Sequence, residues 1–302
     1  MPAFDVMEIP SHQPALVARL RHTAPAQPAR ALPVLFIHGS SFPSALSFDF
    51  RMDGQSWMDW VAARGYDTYA LDFPGYGLSD RYPEQPALPG RAREVAGDVA
   101  QAVDAILRRT GQRQVLLVGH SWGGSVAARY AQEHGHKVAR LVLFAAITER
   151  QGEDAPAPPA AAYEAMTPQQ RIAAMDSLRP AHEAPLLHRD VFEKWGPQWL
   201  LSDRAAVDGK VRFPAGPSAD LADLKQGRAY YDPARLTMPV LLVRGEWDGW
   251  PDDADYRTLQ GQIRGAQYAV IPRGTHVMHL EQSRFQLYEA VHAFLGGTQL
   301  MP

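Results

Sequence analysis

A serine between two glycines offers the clearest chemistry in this chain. In the stretch VLLVGHSWGGSVAARY, residues 115–130, Ser121 stands two positions from Gly119 and from Gly123, after an apolar run and before a helical pattern. A strand that turns directly into a helix needs neighbours without side chains, which glycine provides. The residue at the turn is held in a strained conformation, with its side chain exposed above the edge of the sheet. Ser121 is therefore the candidate nucleophile, unless the spacing is a chance match.

A serine hydroxyl becomes a nucleophile only when a base takes its proton. An imidazole can accept that proton and later return it to the leaving group, and a carboxylate beside the imidazole fixes its tautomer. The chain has eleven histidines that could serve as the base and no cysteine. The lack of cysteine excludes a thiolate nucleophile, a disulfide and a cysteine-ligated metal. The partners of Ser121 must be found from the elements that would bring them together.

Six short apolar runs, rich in β-branched residues, indicate strands that would position these side chains. They lie at residues 33–39, 67–73, 114–120, 139–146, 239–248 and 266–272. Helical patterns between them lie at residues 55–64, 91–109, 125–133, 252–262 and 282–295. Such alternation, with strands apolar on both faces, predicts an α/β fold with a doubly wound, mostly parallel sheet. The segments FDVMEIP and ALVARLRH near the N-terminus predict an antiparallel hairpin at one edge.

The alternation stops after residue 146 and resumes at residue 238, which predicts a second unit. We expect an α/β core domain of residues 1–147 and 237–302, and a helical cap, or lid, of residues 148–236 inserted after the sixth strand. Within the cap, a Pro- and Ala-rich linker, two helical patterns and a loop are predicted at residues 151–162, 163–178, 191–201 and 209–220. An insertion at the carboxyl end of a strand would lie over the crevice in which α/β proteins bind ligands.

Trp195 and Trp199 stand at helical spacing in this cap. Tryptophan pairs at such spacing more often pack a core than contact a ligand. In a lid, however, the same pair can face the substrate. We therefore name both as candidate substrate-binding residues.

Composition and charge narrow the classes of partner. The 302 residues are 46% apolar and 21% charged, with a formal net charge of −3. No long basic run marks a binding surface for nucleic acid or for an anionic membrane. No apolar stretch reaches the length of a membrane span, and the start MPAFDVMEIPSHQP lacks the pattern of a secretory leader. We therefore expect a cytoplasmic monomer or homodimer that acts on a small-molecule substrate.

The sequence gives no reason to expect a cofactor or a metal. The glycines of GHSWGG lack the G-x-G spacing of a dinucleotide fingerprint. Residues 133–136, EHGH, look like a ligand cluster, but nothing supplies a third ligand at the usual spacing of a zinc site.

Five motifs together resemble the α/β-hydrolase fold family. They occur in the order and strand context of that family: LFIHGSS, LDFPGYGLSD, GHSWGG, GEWD and GTHVMHLE. The resemblance covers nearly the whole chain outside the lid, and GHSWGG corresponds to the nucleophile elbow of the family. In LDFPGYGLSD we interpret Asp72 as structural and the glycines as turn formers.

The resemblance implies the two partners of Ser121. His276, on a glycine-containing loop after the last strand, corresponds to the base, and His279 is the alternative. Asp248, just past the preceding strand, corresponds to the acid, in the chain order serine, acid, histidine. Glu246 is the alternative carboxylate, and a turn aspartate that caps the next helix is the structural interpretation of Asp248.

The resemblance also implies an oxyanion hole made of backbone N–H groups. One donor is Trp122, directly after the nucleophile. The other belongs to the loop after residues 38–39, where we expect Ser40. Ser41 is the alternative donor, because HGSSFPSALSFDF is longer than the compact version of this loop in the family. Ser41 is also a candidate substrate-binding residue.

These residues favour a serine hydrolase. We expect it to cleave a carboxylic ester of small to medium, largely apolar substrates through an acyl-enzyme. Lactone or amide hydrolysis, and cleavage of a carbon–carbon bond next to a ketone, are alternatives on the same triad. Epoxide hydrolase and dehalogenase chemistry is disfavoured, since those relatives have aspartate at the position of Ser121. A non-catalytic ligand receptor and a cofactor-free haloperoxidase are alternatives of other classes.

Overall fold

Two sheets organise the computed structural model, which describes residues 5–27, 29, 31–83, 88–150, 157 and 159–297. In chain order the strands are β1 (Asp5–Pro10), β2 (Val17–Thr23), β3 (Val34–Ile37), β4 (Thr68–Asp72), β5 (Val115–His120), β6 (Val138–Phe144), β7 (Tyr163–Met166), β8 (Val211–Pro214), β9 (Val240–Gly245) and β10 (Gln267–Ile271). The main sheet has the order β1-β2-β4-β3-β5-β6-β9-β10, and β7 pairs with β8 separately.

Neighbouring strands of the main sheet are parallel from β4 across to β10. The hairpin of β1 and β2 is antiparallel and lies at one edge, where β2 is also antiparallel to β4. The predicted mostly parallel sheet and its N-terminal hairpin are therefore confirmed. Because parallel strands end at the same edge, the loops after β3, β5, β9 and β10 converge there.

Helices connect the strands and cover both faces of the main sheet. In chain order they are α1 (Ser44–Ser47), α2 (Trp57–Ala62), α3 (Ala92–Thr110), α4 (Trp122–His134), α5 (Pro168–Asp176), α6 (Gly196–Ser202), α7 (Gly216–Lys225), α8 (Asp253–Gln262) and α9 (Arg284–Leu295). A π-helical turn at Val191–Trp195 precedes α6. In the described part of the chain, no helix has the length and apolar composition needed to cross a membrane.

Alternate residues of the central strands pack into two different hydrophobic cores. In β3, Leu35 and Ile37 face the core that α3 and α4 cover, whereas Val34 and Phe36 face the core that α2 and α9 cover. Burial on both faces explains why these strands are apolar without alternation.

The segment between β6 and β9, residues 145–239, is called the β6–β9 segment below. It carries β7, α5, the π-helical turn, α6, β8 and α7. Its buried side chains, among them Trp195, Trp199 and Phe213, join the core on the α3 and α4 side of the sheet. The segment therefore packs against the sheet face that also holds the helix of the serine elbow.

Two local predictions within the β6–β9 segment are wrong. Residues 163–178 were predicted as helix, but they begin with β7, because β7 pairs with β8 across a long stretch of chain. Residues 209–220 were predicted as a loop, but they contain β8 and the start of α7. Pro217 occupies the first turn of α7, where proline is well tolerated. Most of the predicted linker, residues 151–156 and 158, lies outside the described residues.

Candidate active site

The turn between β5 and α4 has the strained geometry that the glycine spacing predicts. Ser121 has φ 56° and ψ −132°, and its N–H donates to the Phe144 carbonyl at 2.9 Å. A Cβ on Gly119 would approach Gly124 Cα to 2.6 Å, and a Cβ on Gly123 would overlap the His38 carbonyl. The tight turn therefore requires glycine at both positions, and it holds the serine at the carboxyl edge of the sheet.

One histidine and one aspartate meet Ser121 at this edge. His276, on the loop after β10, has its Nε2 2.8 Å from Ser121 Oγ. Its Nδ1 lies 3.1 Å from Oδ2 and 3.2 Å from Oδ1 of Asp248, on the loop after β9. The N–H of Trp250 donates to Asp248 Oδ1 at 3.1 Å and holds that carboxylate in place. The arrangement places an imidazole between a hydroxyl and a carboxylate, which is the geometry that nucleophilic acyl transfer uses.

The two alternative partners lie elsewhere. His279 is completely buried, and its Nε2 lies 3.4 Å from Ser47 Oγ. Burial, together with the nearby His276, lowers the pKa of His279 to about 3, so its imidazole is neutral at ordinary pH. Glu246 is exposed and accepts a hydrogen bond from the Arg273 N–H at 2.9 Å.

His120 contacts the backbone of His276, and no pattern in the sequence indicated this contact. Its Nε2 lies 2.9 Å from the His276 carbonyl, an acceptor, so Nε2 carries the proton. Burial, with the neighbouring His279 and His276, lowers the pKa of His120 well below its usual value and keeps the ring neutral. The ring stacks on Phe144 at 4.5 Å. His120 therefore fixes the backbone of the residue that carries the base.

The loop after β3 lies directly against the elbow. A Cβ on Gly39 would be 3.2 Å from Ser121 Cβ, and the Tyr76 hydroxyl donates to the Ser40 carbonyl at 2.6 Å. Trp122 begins α4, so its N–H is one of the free donors of a helix N-terminus. The Oγ of Ser41 is buried and has no hydrogen-bond partner among the described residues. The assignment of Ser40 and Trp122 to the oxyanion hole stays a prediction.

Trp195 and Trp199 lie side by side in the β6–β9 segment, and Trp195 contacts the loop after β3. Both are fully buried, with ring centres 5.1 Å apart. The Trp195 Nε1 donates to the Leu46 carbonyl at 2.9 Å, and its ring meets Phe42 edge to face at 5.2 Å. These contacts are those of packed side chains, and the substrate-binding role of the pair stays a prediction.

A buried carboxylate joins the β6–β9 segment to the elbow helix. Asp220, on α7, accepts hydrogen bonds from Trp122 Nε1 at 2.9 Å, from Arg91 Nε at 2.6 Å and from the Ala92 N–H at 2.6 Å. Burial raises the pKa of Asp220, and the Arg91 charge opposes that effect. No local pattern marks Asp220, because its three partners lie at the N-terminal ends of two other helices, α3 and α4.

Asp72 has the structural role expected of it. It is fully buried at the end of β4, and it accepts hydrogen bonds from the N–H and the hydroxyl of Ser44. A Cβ on Gly77, which has φ +54°, would overlap its carboxylate. The glycine and the aspartate therefore shape one turn beside the loop after β3.

A cluster of Asp53, His188 and Asp190 has its potential ligand atoms within 4.8 Å of one another. Cations already pair with these carboxylates. Arg189 and Arg284 lie 3.0 and 3.2 Å from Asp53, and Lys194 lies 2.7 Å from Asp190. Because an ion network neutralises the carboxylates, we assign no metal to this cluster.

The fold and the site geometry together define the class of this protein. The family model for the alpha/beta hydrolase fold matches residues 33–283. The chain therefore belongs to the α/β-hydrolase fold family.

Known proteins resemble the chain over different lengths. Epoxide hydrolase B of Mycobacterium tuberculosis is 36% identical over 94 residues, which are 29% of this chain and only 25% of that protein. A 2-hydroxy-6-oxononadienedioate/2-hydroxy-6-oxononatrienedioate hydrolase of a Pseudomonas species is 25% identical over 76% of each chain. An esterase of Exiguobacterium antarcticum has a solved structure with a TM-score of 0.67 and 18% identity, covering 98% of this chain and 100% of that one. The structural likeness supports the fold.

Proposed function

We propose that this protein is a serine hydrolase that cleaves carboxylic esters through an acyl-enzyme. The observation that carries the proposal is the continuous hydrogen-bonded path from Ser121 Oγ to His276 Nε2 at 2.8 Å, and from His276 Nδ1 to Asp248 at 3.1 Å. The strained turn that holds the serine supports the same conclusion, since such strain is typical of a functional site.

In the acylation step, Ser121 Oγ attacks the acyl carbon while its proton passes to His276 Nε2. The Asp248 carboxylate can only accept hydrogen bonds, so it favours the tautomer in which Nδ1 carries the proton and Nε2 is free as the base. The negative charge on the carbonyl oxygen is stabilised by the backbone N–H groups of Trp122 and Ser40. When the carbon–oxygen bond breaks, His276 returns the proton to the departing alkoxide.

Deacylation repeats these steps with water. His276 takes a proton from a water molecule, the resulting hydroxide attacks the acyl carbon, and the bond to Ser121 Oγ breaks. His276 then returns the proton to the serine, which restores the enzyme and releases a carboxylic acid.

Residues 148–236 act as a cap over the site in this proposal. Buried side chains of its described part join the core on the side of the elbow helix, and Asp220 links that part to Trp122. The proposed substrate therefore lies between the cap and the loop after β3, where Ser41, Trp195 and Trp199 are the expected contacts. The aromatic side chains suit an apolar part of the substrate.

Carbon–carbon bond hydrolysis is the second candidate, because the Pseudomonas hydrolase resembles this chain over 76% of its length. Epoxide hydrolysis is not proposed, despite the similarity to epoxide hydrolase B over 94 residues. That chemistry is associated with an aspartate where this chain has Ser121.

The test compares steady-state hydrolysis of p-nitrophenyl esters with cleavage of a vinylogous diketone. We expect kcat/KM to be larger for the esters, and Ser121→Ala to lower kcat by on the order of 10⁴- to 10⁶-fold without loss of the folded circular dichroism spectrum. Faster turnover of the diketone would favour the second candidate. Ester hydrolysis that survives in Ser121→Ala would contradict the nucleophile assignment.

A further inference from the structure

Arg171 brings a positive charge next to the loop after β3, and no carboxylate of the described residues pairs with it. It lies on α5, and its Nε is buried without a hydrogen-bond partner in the part of the chain that the structure describes. The guanidinium carbon lies 5.4 Å from the centre of the Phe42 ring. The residue keeps some exposed surface. Among the described residues, no ion pair involves this guanidinium.

A series of ring contacts connects Arg171 with the elbow. The Phe42 ring lies 6.4 Å from His279, which lies 4.5 Å from His120, which in turn lies 5.2 Å from the His276 ring. Burial is the main cause of the low pKa of His120, and the positive charge of Arg171 lowers that pKa further. Phe42 is thus the single ring between the guanidinium and the cluster of His279, His120 and His276.

The buried Nε of this guanidinium has lost its hydration without a replacement among the described residues, which is unfavourable. Burial lowers the pKa of Arg171 to about 10, so the side chain still carries its charge at neutral pH. A partly buried arginine is usually paired with carboxylates. Arg91 is an example, since it contacts both Asp220 and Asp223. Arg171 keeps its charge without such a partner among the described residues, which points to an anion that arrives with the ligand.

We propose that Arg171 binds a carboxylate of the substrate, so that the ester cleaved here carries an anionic group. This inference rests on the proposed function. A guanidinium can donate two parallel hydrogen bonds to one carboxylate, and the unpaired hydroxyl of Ser41, next to Phe42, offers a further donor. The apolar rings of Phe42 and Trp195 would contact the carbon chain of the substrate. The substrate class is therefore a monoester of a dicarboxylic acid.

The experiment uses pairs of p-nitrophenyl esters that differ only in a terminal carboxylate in place of a methyl group. The hydrogen succinate, glutarate and adipate are compared with the butanoate, pentanoate and hexanoate. For at least one pair, we expect wild type to have a higher kcat/KM for the anionic ester than for the neutral one. Arg171→Met should lower that ratio by on the order of 10- to 100-fold, the effect of losing a charged hydrogen bond.

Two further variants sharpen the comparison. Arg171→Lys should recover part of the ratio, because it keeps the charge but not the planar fork; it also replaces Arg171→Met if that variant does not fold. Arg179→Met is the matched control, since Arg179 lies just beyond α5 and pairs with Asp176 at 3.3 Å. It should leave the ratio unchanged. A ratio that is equal in wild type and in a folded Arg171→Met would overturn the proposal while leaving ester hydrolysis intact.

A binding measurement separates this proposal from the proposed function. In Ser121→Ala, calorimetric titration with glutarate and adipate should detect binding that the added Arg171→Met substitution weakens by a similar factor. If this binding is found but wild type hydrolyses no ester, the binding would support the anionic subsite. The lack of hydrolysis would contradict the proposed function. Dicarboxylate binding that is unaffected by Arg171→Met, or no binding at all, would overturn the subsite.

Discussion

His276 and His279 are three positions apart in the chain, yet their surroundings give them different chemistry. The His276 side chain keeps 18% of its surface exposed and lies between a hydroxyl and a carboxylate. The His279 ring has no exposed surface, and its pKa is lowered to about 3. A base must reach its proton and hold it during the reaction, so only His276 fits that role.

Alanine substitutions at these two positions form a matched test at the scale of single residues. We expect His276→Ala to lower kcat/KM for an ester by on the order of 10⁴- to 10⁶-fold, as for other triad histidines. His279→Ala should reduce it by less than about tenfold, because it removes packing and not a reacting group. Kinetics and thermal melting of both variants check this. A severe loss in His279→Ala with a mild loss in His276→Ala would reverse the assignment.

At the scale of elements, the loop between β10 and α9 is held so that the His276 ring points at Ser121. The Glu281 carboxylate accepts a hydrogen bond from the Thr275 hydroxyl at 2.5 Å and one from the Thr275 N–H at 3.2 Å. From the other side, His120 donates to the His276 carbonyl at 2.9 Å. Glu281 is a positioning residue in this arrangement, because it contacts the loop and not the reacting atoms.

The raised pKa of Glu281 leads to a prediction of how the free energy of unfolding depends on pH. Burial raises its pKa from 4.5 to about 7, with the Asp248 charge acting in the same direction and the Thr275 hydrogen bonds opposing it. Between these values the unfolded chain has lost the proton that the folded protein keeps, so this group makes stability fall as pH rises. Glu281→Gln removes that titration. The unfolding free energy of the variant, relative to wild type, should therefore rise by on the order of 3 kcal/mol across this window.

Urea unfolding of both proteins at successive pH values measures this difference. The Gln side chain keeps an acceptor for Thr275, so the loop should stay in place and kcat should change little at low pH. A stability difference that does not vary with pH would mean that Glu281 does not titrate as described.

At the scale of the whole molecule, the sequence was sufficient to predict the strands of the main sheet. It was not sufficient to predict the secondary structure of the β6–β9 segment. Strands buried on both faces are near-continuous apolar runs, and helices between them show their own period, so the α/β architecture follows from local patterns. The pairing of β7 with β8 depends on residues far apart in the chain. Local helical preference at residues 163–166 therefore predicted the wrong element.

The residues of the candidate site also fall into two groups, those that sequence motifs predicted and those that only the structure identified. Ser121, Asp248 and His276 follow strand ends, where the topology brings loops to a common edge, so their motifs could be recognised in the sequence. Arg171 and Asp220 lie on helices of the β6–β9 segment and act on partners from other elements. Their significance lies in the presence or absence of a charged partner, which no sequence motif reports.

The central claim is that Ser121 is an activated nucleophile. Its most direct test is the intact mass of the protein before and after incubation with an activated fluorophosphonate, followed by peptide mapping. Wild type, Ser121→Ala and Ser125→Ala are compared, since Ser125 is a buried serine one helical turn away that bonds the Trp122 carbonyl. The account predicts a single adduct on Ser121 in wild type and in Ser125→Ala, and none in Ser121→Ala. A folded wild-type protein that gains no adduct, or gains it on another residue, would contradict the account.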